Sequence, residues 1–412
     1  MDRVIKYRPR QSEIQRDDTT GYIYAARALR DFGDGFLAIL LPVYLTALGH
    51  GAFEIGIVAT LALLGSALTT LAIGHYGARF DQRLLLIGAA SLMIATGLAF
   101  AFASALAVIL LVSFVGTINP SSGSVSIFVP IEHAVLSRSV ADADRTRMFA
   151  RYSLIGAMAA AFGSLASGSP DILVGLGVSH IGALQSMFVV YALLGMAGAI
   201  TYQLIPRAPT IAEEKPVAAL GPSRSIVYKL AALFSIDAFA GGFAVQSLVA
   251  LWLFNRFGLS LSQAGLFFFW TGVLSAFSFP VAAWLSIRIG LVNTMVFTHI
   301  PSSLCLILAA IAPDLEMALV LLLVRAALSQ MDVPTRSSYV MAVVTPPERP
   351  AAASVTSAPR SLAAAASPAI AGAFFAAGYE AWPLIICGGV KIIYDIALLW
   401  AFQHVKPPEE RK

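Results

Sequence analysis

The chain is predicted to be an all-α polytopic membrane protein, with 12 transmembrane helices in two six-helix, pseudo-symmetric bundles. Three observations predict this. First, 58% of its 412 residues are hydrophobic and only 12% are charged, with a mean hydropathy of +0.80; soluble globular chains lie nearer half apolar and a quarter charged. Second, continuous apolar runs of about 20 residues recur along the whole chain, each long enough to cross a hydrocarbon core of about 30 Å. Third, the second half repeats the pattern of the first across one polar break.

The spans fall near 22–48, 53–76, 84–103, 105–136, 148–168, 181–205, 227–256, 260–288, 291–312, 315–343, 353–378 and 382–404. A β-barrel would need short alternating segments, and these runs are long and continuous. The polar break is "PRAPTIAEEKPVAALGPSRS", residues 206–225, rich in Pro and charge as a flexible linker is. It divides the chain into an N-terminal bundle over 1–205, a linker over 206–226 and a C-terminal bundle over 227–412. The halves align. "VPIEHAVLSRSVADADR" (129–145) lies on "VPTRSSYVMAVVTPPER" (333–349), and residues 53–80 lie on 262–289, placing Arg79 on Arg288. "DGF" at 34–36 matches "GGF" at 241–243.

Lys and Arg set the orientation. With the N-terminus inside, the inner segments hold Arg3, Lys6, Arg8, Arg10 and Arg16, then Arg79 and Arg83, Arg138, Arg145 and Arg147, Arg207, Lys215 and Arg224, Arg349, and finally Lys406, Arg411 and Lys412. The outer connections hold Arg256 beside the acids Asp171, Asp314 and Glu380. Both termini are therefore expected in the cytoplasm, with the chain in the inner (plasma) membrane. The net charge of +4 is spread between apolar runs and not gathered on a soluble face, so it is orientation charge and not a nucleic-acid footprint. The first twenty residues lack an apolar h-region, so the first span is expected to stay in the membrane. Cys305 and Cys387, both inside apolar runs, offer neither a disulfide framework nor a metal motif. No phosphate loop, HExxH or Cys/His zinc spacing is present, and no Ser/His/Asp spacing recommends an enzyme. No cofactor is expected.

The loop after the second span reads "GHYGARFDQR" (74–83). With twelve spans, a six-plus-six split and a central linker, it resembles the major facilitator superfamily, whose corresponding loop reads roughly Gly-x-x-x-Asp-Arg-x-Gly-Arg-Lys. Gly74, Arg79 and Arg83 match that pattern. Ala78 stands where the acid belongs, and Asp81 where the second Gly belongs. The superfamily's fourth-helix Arg is missing from 105–131, and its Pro-rich antiporter signature is missing from "FARYSLIGAMAAAFGSLASG". The resemblance implies a carrier with a site at mid-membrane between two rocking bundles, lined by the first, fourth, seventh and tenth helices.

Charges deep in hydrocarbon are costly unless paired or hydrated, so each is a functional candidate. In the first span Arg27, Asp31 and Asp34 share one helical face, and Arg30 and Asp34 are spaced to pair. Asp34, flanked by Gly33 and Gly35 near mid-span, reads as a proton or cation site, or else as half of a structural ion pair. Arg27, nearer the cytoplasmic end, is expected to snorkel. Asp237 in the seventh span has no charged neighbour in its own helix and needs a partner from another, a wet cavity or a proton; Gln246 follows it. In the tenth span Arg325, Asp332 and Arg336 lie on one face with Ser329 and Gln330 between them, and Pro334 should kink the helix. Arg325 is placed to hold an anion or to balance Asp34 or Asp237. Asp332 and Arg336 can also form a self-contained pair.

The centre of the fourth span, "NPSSGS", offers Asn119, Ser121 and Ser122 as uncharged hydrogen-bonding groups. The repeat alignment sets Glu132 opposite Arg336, which suggests a cytoplasmic gate between the bundles, with Arg151, Arg360 and Arg79 near the same face. Arg151 and Arg360 either snorkel or meet substrate. His133 is a possible coupling residue or merely exposed. Lys391 and Asp395 are expected to pair with each other. The run "FFFW" (267–270) reads as packing or lipid contact ahead of a ligand cage.

These residues lead to a secondary active transporter working by alternating access, in the form of proton-coupled export by antiport. Its partners would be a small-molecule substrate, H+ and the lipid bilayer, with no nucleic acid and a monomeric chain. The alternative is an organic-anion or metabolite carrier using the cavity arginines. A divalent-metal carrier using Asp31, Asp34 and His133, or a non-transporting membrane sensor, comes behind these.

Overall fold

The computed structural model describes residues 10–121, 126–139, 145–206 and 220–405, and these are helical throughout, without a strand. The N-terminal half contains α1 (Arg10–Ala47), α2 (Ala52–Tyr76), α3 (Gln82–Phe102), α4 (Leu106–Val115), α5 (Phe128–Ser139), α6 (Arg145–Ala166), α7 (Ser169–Gly175) and α8 (His180–Gln203). The C-terminal half contains α9 (Arg224–Gly242), α10 (Gln246–Phe257), α11 (Leu261–Ile289), α12 (Leu291–Ala310), α13 (Leu315–Ser329), α14 (Asp332–Val343), α15 (Arg349–Ala376) and α16 (Trp382–Phe402).

Among the described residues, nine helices or joined helix pairs are long and apolar enough to cross a membrane. Three further segments lie where the other predicted spans fall. They are the charge-bearing α1, the broken α4–α5 pair, and α15, which carries Pro359 and Pro368 among many Ala and Ser residues.

Three predicted continuous spans are in fact interrupted at mid-length. The fourth breaks between α4 and α5, where Pro120 lacks a backbone donor and Asn119 Oδ1 instead accepts from Ser121 N at 3.0 Å. The seventh breaks after Gly242, between α9 and α10. The tenth breaks at Gln330–Met331, because the Pro334 ring clashes with the carbonyl four residues earlier.

The bundles meet chiefly where α2 lies along α15, α6 along α11 and α1 along α10. Their joining contacts gather at the end away from the termini. There a Cβ on Gly56 would stand 2.6 Å from Pro368 O, so the two backbones touch, and Ala369 N donates to Thr60 Oγ1 at 3.0 Å. Ser262 donates through its amide and its hydroxyl to Asp171 Oδ2, at 3.1 and 2.8 Å. At mid-depth two interrupted helices meet, Ser247 N donating to Pro120 O at 3.0 Å. At the other end, Glu348 gathers hydrogen bonds from the Ser223 and Thr345 hydroxyls, 2.6 and 2.5 Å, and from Gly221 N. Those hydroxyl donors hold its carboxyl down at about 2, below the ordinary carboxylate range.

Candidate functional site

Two buried polar clusters occupy the bundle interiors, one on either side of the bundle interface. In the N-terminal bundle α1 supplies Arg27, Arg30, Asp31 and Asp34, all buried. Arg27 Nε lies 2.6 Å from Asp31 Oδ2, and Arg30 Nε 3.4 Å from Asp31 Oδ1. The Arg30 guanidinium grips Glu132 of α5 with both terminal nitrogens, at 2.8 and 3.1 Å. Glu132 also accepts from the Tyr202 hydroxyl at 2.5 Å and from the Tyr152 hydroxyl. Small residues make this possible. A Cβ on Gly35 would stand 2.1 Å from Ala160 O, so α1 and α6 pack backbone to backbone beside the charges.

Asp34 stands apart from this network. Its contacts are the Tyr191 hydroxyl, donating at 3.4 Å, and the side chain of Asn119. Arg27 and Arg30 are matched in charge by Asp31 and Glu132, which leaves Asp34 as the surplus carboxyl of the cluster.

In the C-terminal bundle Asp237 of α9 finds its partners on other helices. Lys391 Nζ is 2.6 Å away, Arg336 Nη1 3.4 Å and His299 Nε2 3.9 Å. Arg336 also pairs with Asp332 at 2.8 Å, within α14. His299 Nδ1 lies 3.0 Å from Asp395 Oδ1, and its Nε2 lies 3.3 Å from Lys391 Nζ.

Several predicted pairings are corrected by this geometry. Arg30 does not pair with Asp34, because Glu132 presents a two-oxygen acceptor that suits the guanidinium fork better. Arg27 does not snorkel; it is buried against Asp31 and the Tyr152 ring. In this conformation Glu132 and Arg336, the suggested gate residues, are each paired within their own bundle. Lys391 and Asp395 part company, one to Asp237 and the other to His299. Arg325 balances neither Asp34 nor Asp237, whose hydrogen-bond and ion-pair partners are other residues.

The remaining candidates are scattered. Asn119 is buried and Ser121 half-buried at the α4–α5 break, and Ser122 lies outside the described residues. Gln246 is half-buried at the start of α10, and Gln330 is exposed at the α13–α14 break. Arg151 and Arg79 are exposed, Arg79 over the Tyr76 ring at 5.8 Å. Arg360 is half-buried, with a Nε that has no hydrogen-bond partner among the described residues. His133 packs its ring on Phe149 and Tyr152, at 4.7 and 5.0 Å. Of the "FFFW" run, Phe267 and Phe268 are core and Phe269 meets Phe162 across the bundle interface at 5.5 Å. No three His, Cys, Asp or Glu side chains gather as a metal site among the described residues.

Sequence reasoning missed His299 and the tyrosines 152, 191 and 202. An ionisable side chain in the ninth span was signal enough for His299. The tyrosines carry no mark that separates them from ordinary core aromatics.

The halves echo each other with reversed charge. The repeat alignments set Arg30 on Asp237 and Glu132 on Arg336. The structure joins Arg30 to Glu132 and Asp237 to Arg336, so equivalent helices carry equivalent ion pairs of opposite polarity.

Known proteins share this architecture. An uncharacterized membrane protein of Saccharomyces cerevisiae is 22% identical over 419 residues, covering 93% of this chain and 94% of that one. The crystal structure of the nucleoside transporter NupG matches with a TM-score of 0.73 at 14% identity, covering 94% of this chain and 99% of that one. A bacterial homolog of the human lysosomal transporter Spinster, inward-facing and occupied, matches at 0.69 with 16% identity, covering 96% and 98%. The family model described as Major Facilitator Superfamily matches residues 23–254 and 230–412, together nearly the whole chain. With a helical membrane fold built of two polar-cored bundles, the chain belongs to the Major Facilitator Superfamily, whose members carry small molecules across membranes.

Proposed function

We propose that the chain is a secondary active transporter that moves its substrate by alternating access and couples that movement to protons through Asp34. One observation carries the reading. Asp34 is 2% exposed, and among the described residues its hydrogen bonds are with uncharged groups, Tyr191 and Asn119, while Arg27 and Arg30 beside it are matched by Asp31 and Glu132. A buried carboxyl whose neighbouring cations are already matched favours either a bound proton or a conformation that hydrates it, so its protonation state biases the bundle equilibrium. The acids of the first, seventh and tenth helices, Asp34, Asp237 and Asp332, resemble those of proton-coupled exporters of the superfamily, and we take export by antiport as the direction on that ground. With both termini cytoplasmic and 206–226 as the linker, the end where the bundles touch faces outward, and this conformation opens to the cytoplasm.

A second reading, an organic-anion carrier, draws on Arg360 and Arg325. Neither forms a direct ion pair with a carboxylate among the described residues, and the Arg360 Nε has no hydrogen bond there, although Arg360 stands in the field of Asp237 and Asp332. A guanidinium in that condition is ready for a carboxylate or phosphate.

The test is transport in proteoliposomes under an imposed pH gradient, screened over organic cations, anions and sugars. Asp34→Asn is expected to abolish gradient-driven accumulation while leaving substrate exchange without a gradient. Full accumulation by Asp34→Asn sinks the assignment of Asp34, and accumulation that fails in Arg360→Gln for anions alone selects the second reading.

A further inference from the structure

His299 sits at the centre of a buried relay in the C-terminal bundle, remote from Asp34. Its Nδ1 is 3.0 Å from Asp395 Oδ1, and its Nε2 is 3.3 Å from Lys391 Nζ. Lys391 Nζ is 2.6 Å from Asp237 Oδ1, and the same oxygen lies 3.9 Å from His299 Nε2. Acid, imidazole, ammonium and acid thus follow one another across α16, α12 and α9.

The hydrogen bonds define the charge state of the ring. An ammonium has only donors to offer. Facing Lys391, Nε2 must present its lone pair, so the ring proton is on Nδ1 and points to Asp395. That arrangement corresponds to the neutral tautomer of the imidazole. Around the ring Asp237, Asp332 and Asp395 are set against Lys391, Arg336 and Arg360. The elements packed on α12 add little more. α13 brings Arg325, which receives Ser302 Oγ on its backbone oxygen at 3.4 Å, and α16 brings the edge-on Tyr394 ring at 6.1 Å. α14 brings Asp332 and Arg336, already paired. The ionisable side chain of α11, Arg288, is exposed and stacked on Trp284.

We propose that His299 is a second proton-binding site of this protein, at which an arriving proton displaces Lys391 from Asp237. The proton adds to the Nε2 lone pair. The Lys391 N–H that pointed there loses its acceptor, and two cations now face each other. The new Nε2–H turns to Asp237 Oδ1, which keeps a cationic partner. Lys391, the most exposed side chain of the four at 13%, withdraws toward water with its charge. One proton enters and one ammonium leaves, so the buried charge stays constant, which is what a low-dielectric interior requires. Imidazole is the side-chain chemistry suited to such an exchange between about pH 5 and 8. The site lies in the opposite bundle from Asp34 and stands or falls separately from it.

The experiment is nitrogen-15 solid-state NMR of the full chain, labelled at its six histidines, in phosphatidylcholine vesicles. The His299 signal is assigned by its loss in His299→Gln or, should that variant fail to fold, by its response to Asp395→Asn. In the wild type Nε2 is expected to pass from unprotonated at about pH 8 to protonated by about pH 5. Lys391→Gln removes the competing cation and is expected to raise the proton affinity at least about tenfold, one pH unit; Asp395→Asn is expected to lower it. Asp34→Asn leaves the midpoint in place, so a loss of coupled transport in that variant reports on Asp34 alone. A ring that stays neutral down to pH 5 in the wild type, or a midpoint that Lys391→Gln does not move, overturns the proposal.

Discussion

Replacing Glu132 by Gln probes what holds the N-terminal cluster together. Glu132 has no exposed surface, and its carboxylate meets Arg30 Nη1 at 2.8 Å. At that separation, in surroundings of effective dielectric constant about 20, two unit charges attract by roughly 6 kcal/mol. Desolvation of both ions offsets much of this gain while the pair is intact. Removing one ion leaves the other buried and unmatched, and such a break costs about 3–5 kcal/mol. Glu132→Gln takes from Arg30 its two-oxygen carboxylate partner, so a loss of about 3–5 kcal/mol in unfolding free energy is expected. Adding Arg30→Gln removes the stranded cation and should recover at least about half of that loss. Unfolding of the purified protein by SDS titration in mixed micelles reads both numbers. A single-variant loss below about 1 kcal/mol, or a double variant no more stable than the single, refutes the reasoning.

Two further predictions follow from the ends of the molecule. Gly56→Val puts a side chain where a Cβ already stands 2.6 Å from Pro368 O, so the α2–α15 contact must open. A cysteine introduced at Ser247 should then react several-fold faster with a membrane-impermeant maleimide from the end away from the termini, and an unchanged rate would mean that this contact does not keep that end shut. For Glu348 the sign follows from a folded value of about 2 against an ordinary value of about 4.3. The ionised form is favoured in the folded state, so its contribution is complete above about pH 4.3 and fades as pH falls through about 2. Hydrogen exchange at Gly221 and Ser223 should stay protected down to about pH 5 and lose protection below about pH 4, a step that Glu348→Gln removes. A wild-type profile without that step would show that the carboxylate does not anchor the segment.

Much of the architecture was legible because membranes leave few choices. Apolar length placed the passes, and the cost of buried charge pointed to the first, seventh and tenth helices, where Asp34, Asp237 and Asp332 are indeed buried. Pairing was not legible. Spacing along one helix suggested Arg30 with Asp34 and Lys391 with Asp395, but in each case a partner from another helix won. Glu132 is 102 residues from Arg30, and His299 is 96 from Asp395. Local rules cannot weigh a carboxylate that only the tertiary fold brings near. The interruption at Asn119–Pro120 carried a proline to announce it, and the one after Gln330 was announced by Pro334. At the interruption after Gly242, α15 packs against that glycine so closely that a Cβ would stand 2.1 Å from Ser367 Oγ. Nothing in the stretch itself reveals that neighbour.

The bond from Ser247 N to Pro120 O links two chain breaks at the middle of the membrane. Each break leaves main-chain groups without a helical partner, and hydrocarbon supplies none. While the bundles are pressed together, these two groups satisfy each other and the seam can be dry. Once they separate, the amide and the carbonyl both need a replacement, and water arriving at that depth can provide one. Parting and wetting are then a single event. A bilayer-deep path cannot open here ahead of its own hydration, which makes the rate of water entry a physical limit on how fast this end of the molecule can move.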